Sequence, residues 1–381
     1  MRVALFHPWI KSKGGGEKVI LEILKKSKHK IDVYTWSYES DKTFEEFRNY
    51  NIKVIGPKIA RKIARLGILR GLLFPLGLLK KLPIEKYDLL LISTSGMGEF
   101  ITFRSHKKGK TYAYVHTPLR EADEKIIQWN LKNRYKGFFS RSFYLIATKI
   151  YKSLEKKSWK KLDVVIFNSK LSKKRAVDRG LIKKIRSHVI NPPVDIKRFQ
   201  KGKKTKGNYF IYISRLNPPK RQDVLVEAWK KFVEENPKFS LVIVGTPENR
   251  KYSEKLFRLK EDIKNLEIKT NVSDSELEKL IIGCRAGIFL GYQEDFGIVP
   301  LEIISAEKPL IAVEEGGYVD IIKDHPLFHR LKERHHKEEM VKEVQEGLEK
   351  FIKSKPKKKM RKLKINNFIE EIDNIISSAS A

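Results

Sequence analysis

Two glutamates, Glu294 and Glu302, stand with seven residues between them around the segment Asp-Phe-Gly-Ile-Val-Pro-Leu. A carboxylate has two acceptor oxygens and matches a pair of adjacent sugar hydroxyls. Gly297 lets the backbone come close to a ligand. Pro300 suits the first turn of a helix, where its missing N–H costs nothing. The run Ile288-Phe289-Leu290 reads as the end of a buried strand. The pattern predicts Glu294 in a loop at the strand's carboxyl end and Glu302 about one turn into the next helix. The amides of Phe296, Gly297, Ile298 and Val299 would lie between them, facing an anion at the helix start. Two hydroxyl-binding carboxylates around a phosphate site suit a nucleotide sugar. A bare pair at this spacing is also an ordinary surface feature. What weighs against that reading is the Phe-Gly insert, with the apolar strand 310–313 and Gly316-Gly317 after it.

Cations come from a second loop. Ser214-Arg215-Leu216 ends an apolar run, Lys220 follows five residues after Arg215, and Val224, Leu225, Ala228 and Trp229 continue at helical spacing. Arg supplies a planar fork and Lys a mobile point charge, so the two could clamp a diphosphate from both sides. In a chain this rich in Lys and Arg, a solvated loop is the alternative. Near the N-terminus, His7-Pro8-Trp9 and then Gly14-Gly15-Gly16-Glu17 follow the strand-like 3–6 and precede a helix. Glycines at a helix start can cradle a phosphate or admit a sugar; by themselves they are a flexible turn. His116-Thr117-Pro118 follows another apolar run, where a single histidine is equally a core residue. No Asp-x-Asp occurs in a loop position suited to a divalent cation, and Asp274 reads as a helix cap.

These loops must be held by sheets. Apolar runs alternate with helical patterns, the mark of α/β layering with parallel strands. One series comprises residues 3–6, 31–34, 89–93, 111–115 and 164–168. A second comprises 210–214, 241–244, 266–269, 286–290 and 310–313. Asn191-Pro192-Pro193-Val194-Asp195 is a stiff turn between them. The organisation is therefore an N-terminal domain over 1–195, a C-terminal domain over 196–360, and a terminal helix over 361–381 able to return to the first domain.

At 381 residues the chain can bury two cores. One cysteine, Cys284, excludes an internal disulfide and reads as packing. No charged-then-apolar leader precedes the first strand. The net charge of +34 attracts polyanions: nucleic acid, anionic lipid or nucleotide phosphate. Heat-adapted surfaces are also rich in charge, but here the excess is one-sided and clustered. Residues 132–161 hold ten basic residues and one acid, interleaved with aromatics. Residues 58–81 hold seven basic residues and no acid, and 353–364 hold eight and none. The stretch 59–82 is too interrupted by charge to span a bilayer. It is either an interfacial helix pair or a core hairpin. No nucleic-acid module is recognisable, so a basic nucleic-acid-binding protein rests on charge alone.

Taken together, Glu294 to Glu302, Arg215-Leu216 with Lys220, the strand–glycines–Glu17–helix element, His116-x-Pro118 and the Pro192-Pro193-Val194-Asp195 turn resemble family 4 of the retaining glycosyltransferases. The likeness runs from residue 3 to about 325 and is strongest over 210–317. It is closest to mannosyltransferases that build lipid-linked oligosaccharides or lipopolysaccharide. The resemblance implies a GT-B fold, two Rossmann-like domains facing across a cleft, with reaction between them. It implies a metal-independent hexosyltransferase whose co-substrate is a sugar nucleotide, most readily GDP-mannose, with a UDP-sugar (glucose, galactose or N-acetylglucosamine) as the alternative. Glu302 would hold the ribose, Glu294 the sugar and reacting face, Arg215 and Lys220 the diphosphate. Gly15, Gly16 and His116 would face the cleft, His116 bonding a donor hydroxyl or orienting the acceptor. The implied acceptor is a polyprenyl-linked or other glycan, with the enzyme peripheral on the cytoplasmic face of an anionic membrane. Thr246-Pro247-Glu248, Lys308 and Asn271 depart from the family pattern, which leaves the nucleobase side of the pocket open.

Overall fold

Strand β1 (Arg2–Ile10) is an interior strand, third in order, of a seven-stranded parallel sheet. Its neighbours are β2 (Lys30–Tyr38), β3 (Ile52–Val54), β4 (Leu89–Thr94), β5 (Lys110–Val115), β6 (Val164–Phe167) and β7 (Arg186–Val189), in the order β3-β2-β1-β4-β5-β6-β7. Helices α1 (Gly15–Lys26), α2 (Glu124–Asn133), α3 (Phe138–Trp159) and α4 (Lys170–Asp178) make the connections. The second sheet is also parallel, ordered β10-β9-β8-β11-β12-β13. Its strands are β8 (Tyr209–Ile213), β9 (Ser240–Val244), β10 (Leu266–Lys269), β11 (Ala286–Phe289), β12 (Leu310–Val313) and β13 (Phe328–Leu331). Its helices are α5 (Gln222–Glu235), α6 (Arg250–Glu261), α7 (Asp274–Gly283), α8 (Ile298–Ser305), α9 (Val319–Ile322) and α10 (Lys337–Lys353), and α11 (Phe368–Ser377) closes the chain. The structure is a computed structural model that describes residues 1–56, 84–104, 109–133, 135–200, 207–354, 363 and 367–380.

The central strands are continuous apolar runs because helices cover both faces of each sheet. Leu89–Thr94 and Val164–Phe167 are buried at every position. The chain forms two units, Met1–Pro193 with Asn366–Ala381, and Val194–Ile365. In the second, Phe210 is fully buried among Trp229, Phe232, Phe239 and Phe351, with ring centroids 5.5–6.2 Å from its own. Emptying such a site costs about 3–5 kcal/mol. In the first, Phe368, Ile372 and Ile376 of α11 join Val3, Leu5, Val19 and Ile20 in one core. Asp373 fixes that helix end to the α1–β2 turn, accepting from Ser27 Oγ at 2.6 Å and from the Lys28 N–H at 3.0 Å.

Both sheets reverse their strand order once, at β1/β4 and at β8/β11. The carboxyl ends of the strands at such a point form the usual crevice for a ligand in α/β proteins. Every strand expected from the sequence is present, and three more appear: β3, β7 and β13. These lie at or next to the sheet edges, where burial is partial and the residues are mixed, as in Phe-His-Arg-Leu of β13. Two local expectations are corrected. His7 lies inside β1, which continues to Ile10, because β2 pairs with it that far. The cap of α7 is Ser273, whose side chain accepts from the Glu276 N–H, and Asp274 is the first helical residue. The interfacial-or-core segment 59–82 and most of the basic run 353–364 lie outside the described residues.

Candidate functional site

In the second unit the loops after β8 and β11 are tied together. The Tyr292 N–H donates to the Pro219 carbonyl at 2.8 Å, and buried Tyr212 donates its hydroxyl to the Lys220 carbonyl. These bonds bring Lys220 onto Glu294, and the two form an ion pair whose side chains are each only 19% exposed. The ammonium also lies 5.7 Å from the Phe289 ring centroid. Glu294 is held from the far side by its carbonyl, which accepts from the Gly317 N–H at 3.3 Å.

Gly297 caps α8 with φ +86°, and a Cβ there would stand 2.5 Å from the Tyr318 ring. Only glycine satisfies both demands. No side chain caps α8, so the amides of Ile298 and Val299 are outside the helix's own hydrogen bonding. Glu302 lies one turn further in and is buried. Phe296 turns inward to pack with Leu301, Ile303 and Tyr318. Its ring is therefore structural.

Arg215 does not join Lys220 and Glu294 in the described contacts. It pairs with Glu248, which also accepts from Asn217. Leu216 bridges to Pro247 in parallel register, so Thr246-Pro247-Glu248 forms the wall beside Arg215. In the sequence Glu248 is marked only as a departure from the family pattern, and the fold makes it the partner of Arg215. Arg221 carries no sequence signal of its own. This residue takes a left-handed φ of +55° ahead of α5, grips Glu333 with both guanidinium nitrogens at 2.9 and 2.6 Å, and lies 4.7 Å from the Tyr292 ring centroid. A left-handed arginine is costly and is retained where its surroundings over-determine it. Asn271, where glycine is usual, also has positive φ, +59°, which asparagine tolerates.

In the first unit His116 lies at the end of β5, its N–H donating to the Thr94 carbonyl at 2.8 Å. His116 Nε2 is 2.8 Å from Ser93 Oγ, which is 3.1 Å from His7 Nδ1. His7 Nδ1 is also 3.0 Å from the Ser93 carbonyl. A carbonyl only accepts, so His7 carries its proton on Nδ1. Ser93 is then able to donate to His116 Nε2, which leaves the His116 proton on Nδ1. Burial, with the neighbouring His7, pushes the His116 pKa down to about 3, and burial also lowers that of His7. Both rings are therefore neutral near pH 7. His116 is suited to donate a hydrogen bond and unsuited to act as an acid.

Gly15 and Gly16 belong to the first turn of α1, and Gly16 packs against both imidazoles: a Cβ there would lie 3.5 Å from each. Buried Glu17 occupies the same turn and accepts from Ser12 Oγ at 2.7 Å. A carboxylate at that helix end disfavours a phosphate there and leaves hydroxyl groups as the compatible ligand. The loop after His116 is pinned from α3 and α4: Glu155 accepts from the Leu119 N–H at 2.9 Å, and Arg179 pairs with Glu155 while donating to the Leu119 carbonyl at 3.1 Å.

Among the described residues no group of three or more His, Cys, Asp or Glu is arranged to hold a metal ion, and no helix is long and apolar enough to cross a membrane. Cys284 is fully buried and donates to the Ile281 carbonyl, with burial raising its thiol to about 12.

Comparison with known proteins gives the family and the fold. Residues 13–198 match the model of Glycosyltransferase Family 4, and residues 193–368 match that of Glycosyl transferases group 1. The GDP-Man:Man(3)GlcNAc(2)-PP-Dol alpha-1,2-mannosyltransferase of Homo sapiens is 24% identical over 376 residues, covering 85% of this chain and 75% of its own length. The alpha-1,3/1,6-mannosyltransferase ALG2 of Dictyostelium discoideum is 22% identical over 367 residues, covering 85% and 84%. Among solved structures, Anabaena HepE in complex with UDP has a TM-score of 0.65 at 15% identity, over 99% of this chain and all of that one, a likeness of fold. The chain belongs to the GT-B glycosyltransferases of family 4 and is a hexosyltransferase, its two Rossmann-like units matching the two family models in turn.

Proposed function

We propose that the enzyme transfers mannose from GDP-mannose, with retention of configuration, to a lipid-linked or other glycan acceptor. The observation that carries the donor site is the Lys220–Glu294 pair beside the uncapped start of α8, with Glu302 one turn along. A cation, a hydroxyl acceptor and two unsatisfied amides are what a diphospho-sugar requires at one strand-order reversal. Support for mannose, for the guanine nucleotide and for a lipid-linked acceptor comes from the names of the related enzymes.

In this reading Glu302 accepts from the ribose hydroxyls and Glu294 from the sugar. Lys220, Arg215 and the Ile298 and Val299 amides take up the diphosphate's charge. The acceptor oxygen bonds to the anomeric carbon on the face from which the diphosphate departs. The carbon–phosphate oxygen bond breaks, and the acceptor's proton passes to the leaving phosphate oxygen. No protein nucleophile and no metal is then required, since the charge that develops meets fixed cations and amides. His116, Gly15 and Gly16 serve neutral hydroxyls. A peripheral position on the inner face of an anionic membrane completes the proposal, motivated by the acceptor class and the basic aromatic sequence of α3.

The test is a thermal shift against GDP-mannose, GDP, UDP-glucose and UDP-N-acetylglucosamine. A ligand at a hundred times its Kd adds about 2.7 kcal/mol of stability. Stabilisation by the guanine compounds alone is expected. Selectivity for UDP compounds would replace the donor, and no response to any of them would remove the donor site.

A further inference from the structure

One face of α3 belongs neither to a core nor to the sites above. Phe139 is 86% exposed, Phe143 49%, Ile146 59% and Ile150 49%. They recur at i, i+4, i+7 and i+11 and so form a single stripe along the helix. The opposite face is anchored: Tyr144 stacks on Tyr135 at 4.3 Å and accepts from Asn130 Nδ2 at 2.9 Å, while Tyr151 and Trp159 enter the main core. The stripe is thus held outward by a fixed helix. Exposed Lys149 borders it, and exposed Lys157, seven residues after Ile150, continues its line. The only acid of the helix, Glu155, is fully buried and paired with Arg179, so α3 presents no negative charge to solvent.

We infer that this stripe lies on an anionic lipid bilayer, Phe139, Phe143, Ile146 and Ile150 entering the acyl boundary while Lys149 and Lys157 meet the headgroups. An apolar strip rimmed by cations is the pattern of an interfacial helix. A second copy fits worse, because it would bring two rows of cations together. The inference deepens the lipid-linked acceptor proposed above. Glu155, which pins the loop after His116, lies twelve residues beyond Phe143, about 18 Å along the axis at 1.5 Å per residue. One rigid element would then join the membrane surface to the loop that bears His116.

The test is flotation of the full chain with vesicles of phosphatidylcholine alone and of phosphatidylcholine mixed with phosphatidylglycerol. Co-flotation with the mixed vesicles, reduced by salt, is expected. Phe143→Asp with Ile146→Asp should lower the partition by at least about tenfold, or 1.4 kcal/mol, with Tm and transfer to a water-soluble acceptor analogue unchanged. Lys149→Glu with Lys157→Glu should remove the salt-dependent part alone. The inference is overturned if the wild type ignores both vesicles, if the Asp double variant floats like wild type, or if it abolishes only a concentration-dependent self-association. Flotation uses no sugar nucleotide, so its failure leaves the donor reading standing, and a wrong donor leaves the flotation result unaffected.

Discussion

The two strand-order reversals share a topology and differ in chemistry. At β1/β4 the polar groups on the strands are neutral and buried, His7, Ser93 and His116 in one hydrogen-bonded line, with the buried carboxylate of Glu17 beside them. At β8/β11 they are charged and partly open: Lys220 on Glu294, and Arg215 on Glu248 with both side chains about half exposed. One backbone plan therefore carries a neutral hydrogen-bonded line in the first unit and a set of ion pairs in the second. The difference arises from what each loop brings within reach, since the two sheets share their strand order about the reversal.

The largest expected effect breaks the charged side. Lys220→Ala should lower kcat by about 10²–10³-fold, as for loss of one fixed donor to a developing charge, measured as hexose transfer. Exchanging the pair, Lys220→Glu with Glu294→Lys, should keep Tm and stay inactive. An active exchanged enzyme would make the pair structural only.

Next is Gly297→Ala, which meets both the left-handed backbone and the Tyr318 ring. It should cost about 1–3 kcal/mol, read as a lower Tm together with weaker donor binding. An unchanged Tm would mean that α8 starts differently.

The neutral side is probed by pH. His116 titrates at about 3 in the fold and near 6.5 when unfolded. Between those values the unfolded chain binds the extra proton. Its contribution to stability is complete above pH 6.5 and is lost as pH falls, at about 1.4 kcal/mol per pH unit. His7 shifts in the same direction. Denaturant midpoints from pH 7 to pH 5 should decline, and less steeply in His116→Gln. A slope unaffected by that change would show the ring to be charged in the fold.

The smallest effect is Ser93→Ala, which removes the hydroxyl between the two rings. A loss of about 1 kcal/mol in stability and a raised acceptor KM with donor KM unchanged are expected. A change in donor KM instead would remove the division of labour between the two sides.

Much of this was legible in the sequence where signal is local. The interior strands are apolar runs, and Gly297, the α8 start and Glu302 lie within one short segment. The partners were not legible. Glu248 lies 33 residues from Arg215 and Glu294 lies 74 from Lys220, so only the fold sets who meets whom. Ser93 lies 86 residues from His7, in a strand whose pattern reads simply as core. The outer strands escaped because partial burial removes the apolar run that marks a strand.

The place of α11 has a consequence for synthesis. The second unit is continuous in sequence, whereas the first takes Phe368, Ile372 and Ile376 into its core. The half that leaves the ribosome first therefore keeps an open apolar groove until residue 377 has followed it. The half made later can close before then. Nascent chains of this enzyme should mature in the reverse of the order in which they are translated, with the N-terminal half the one exposed to chaperones.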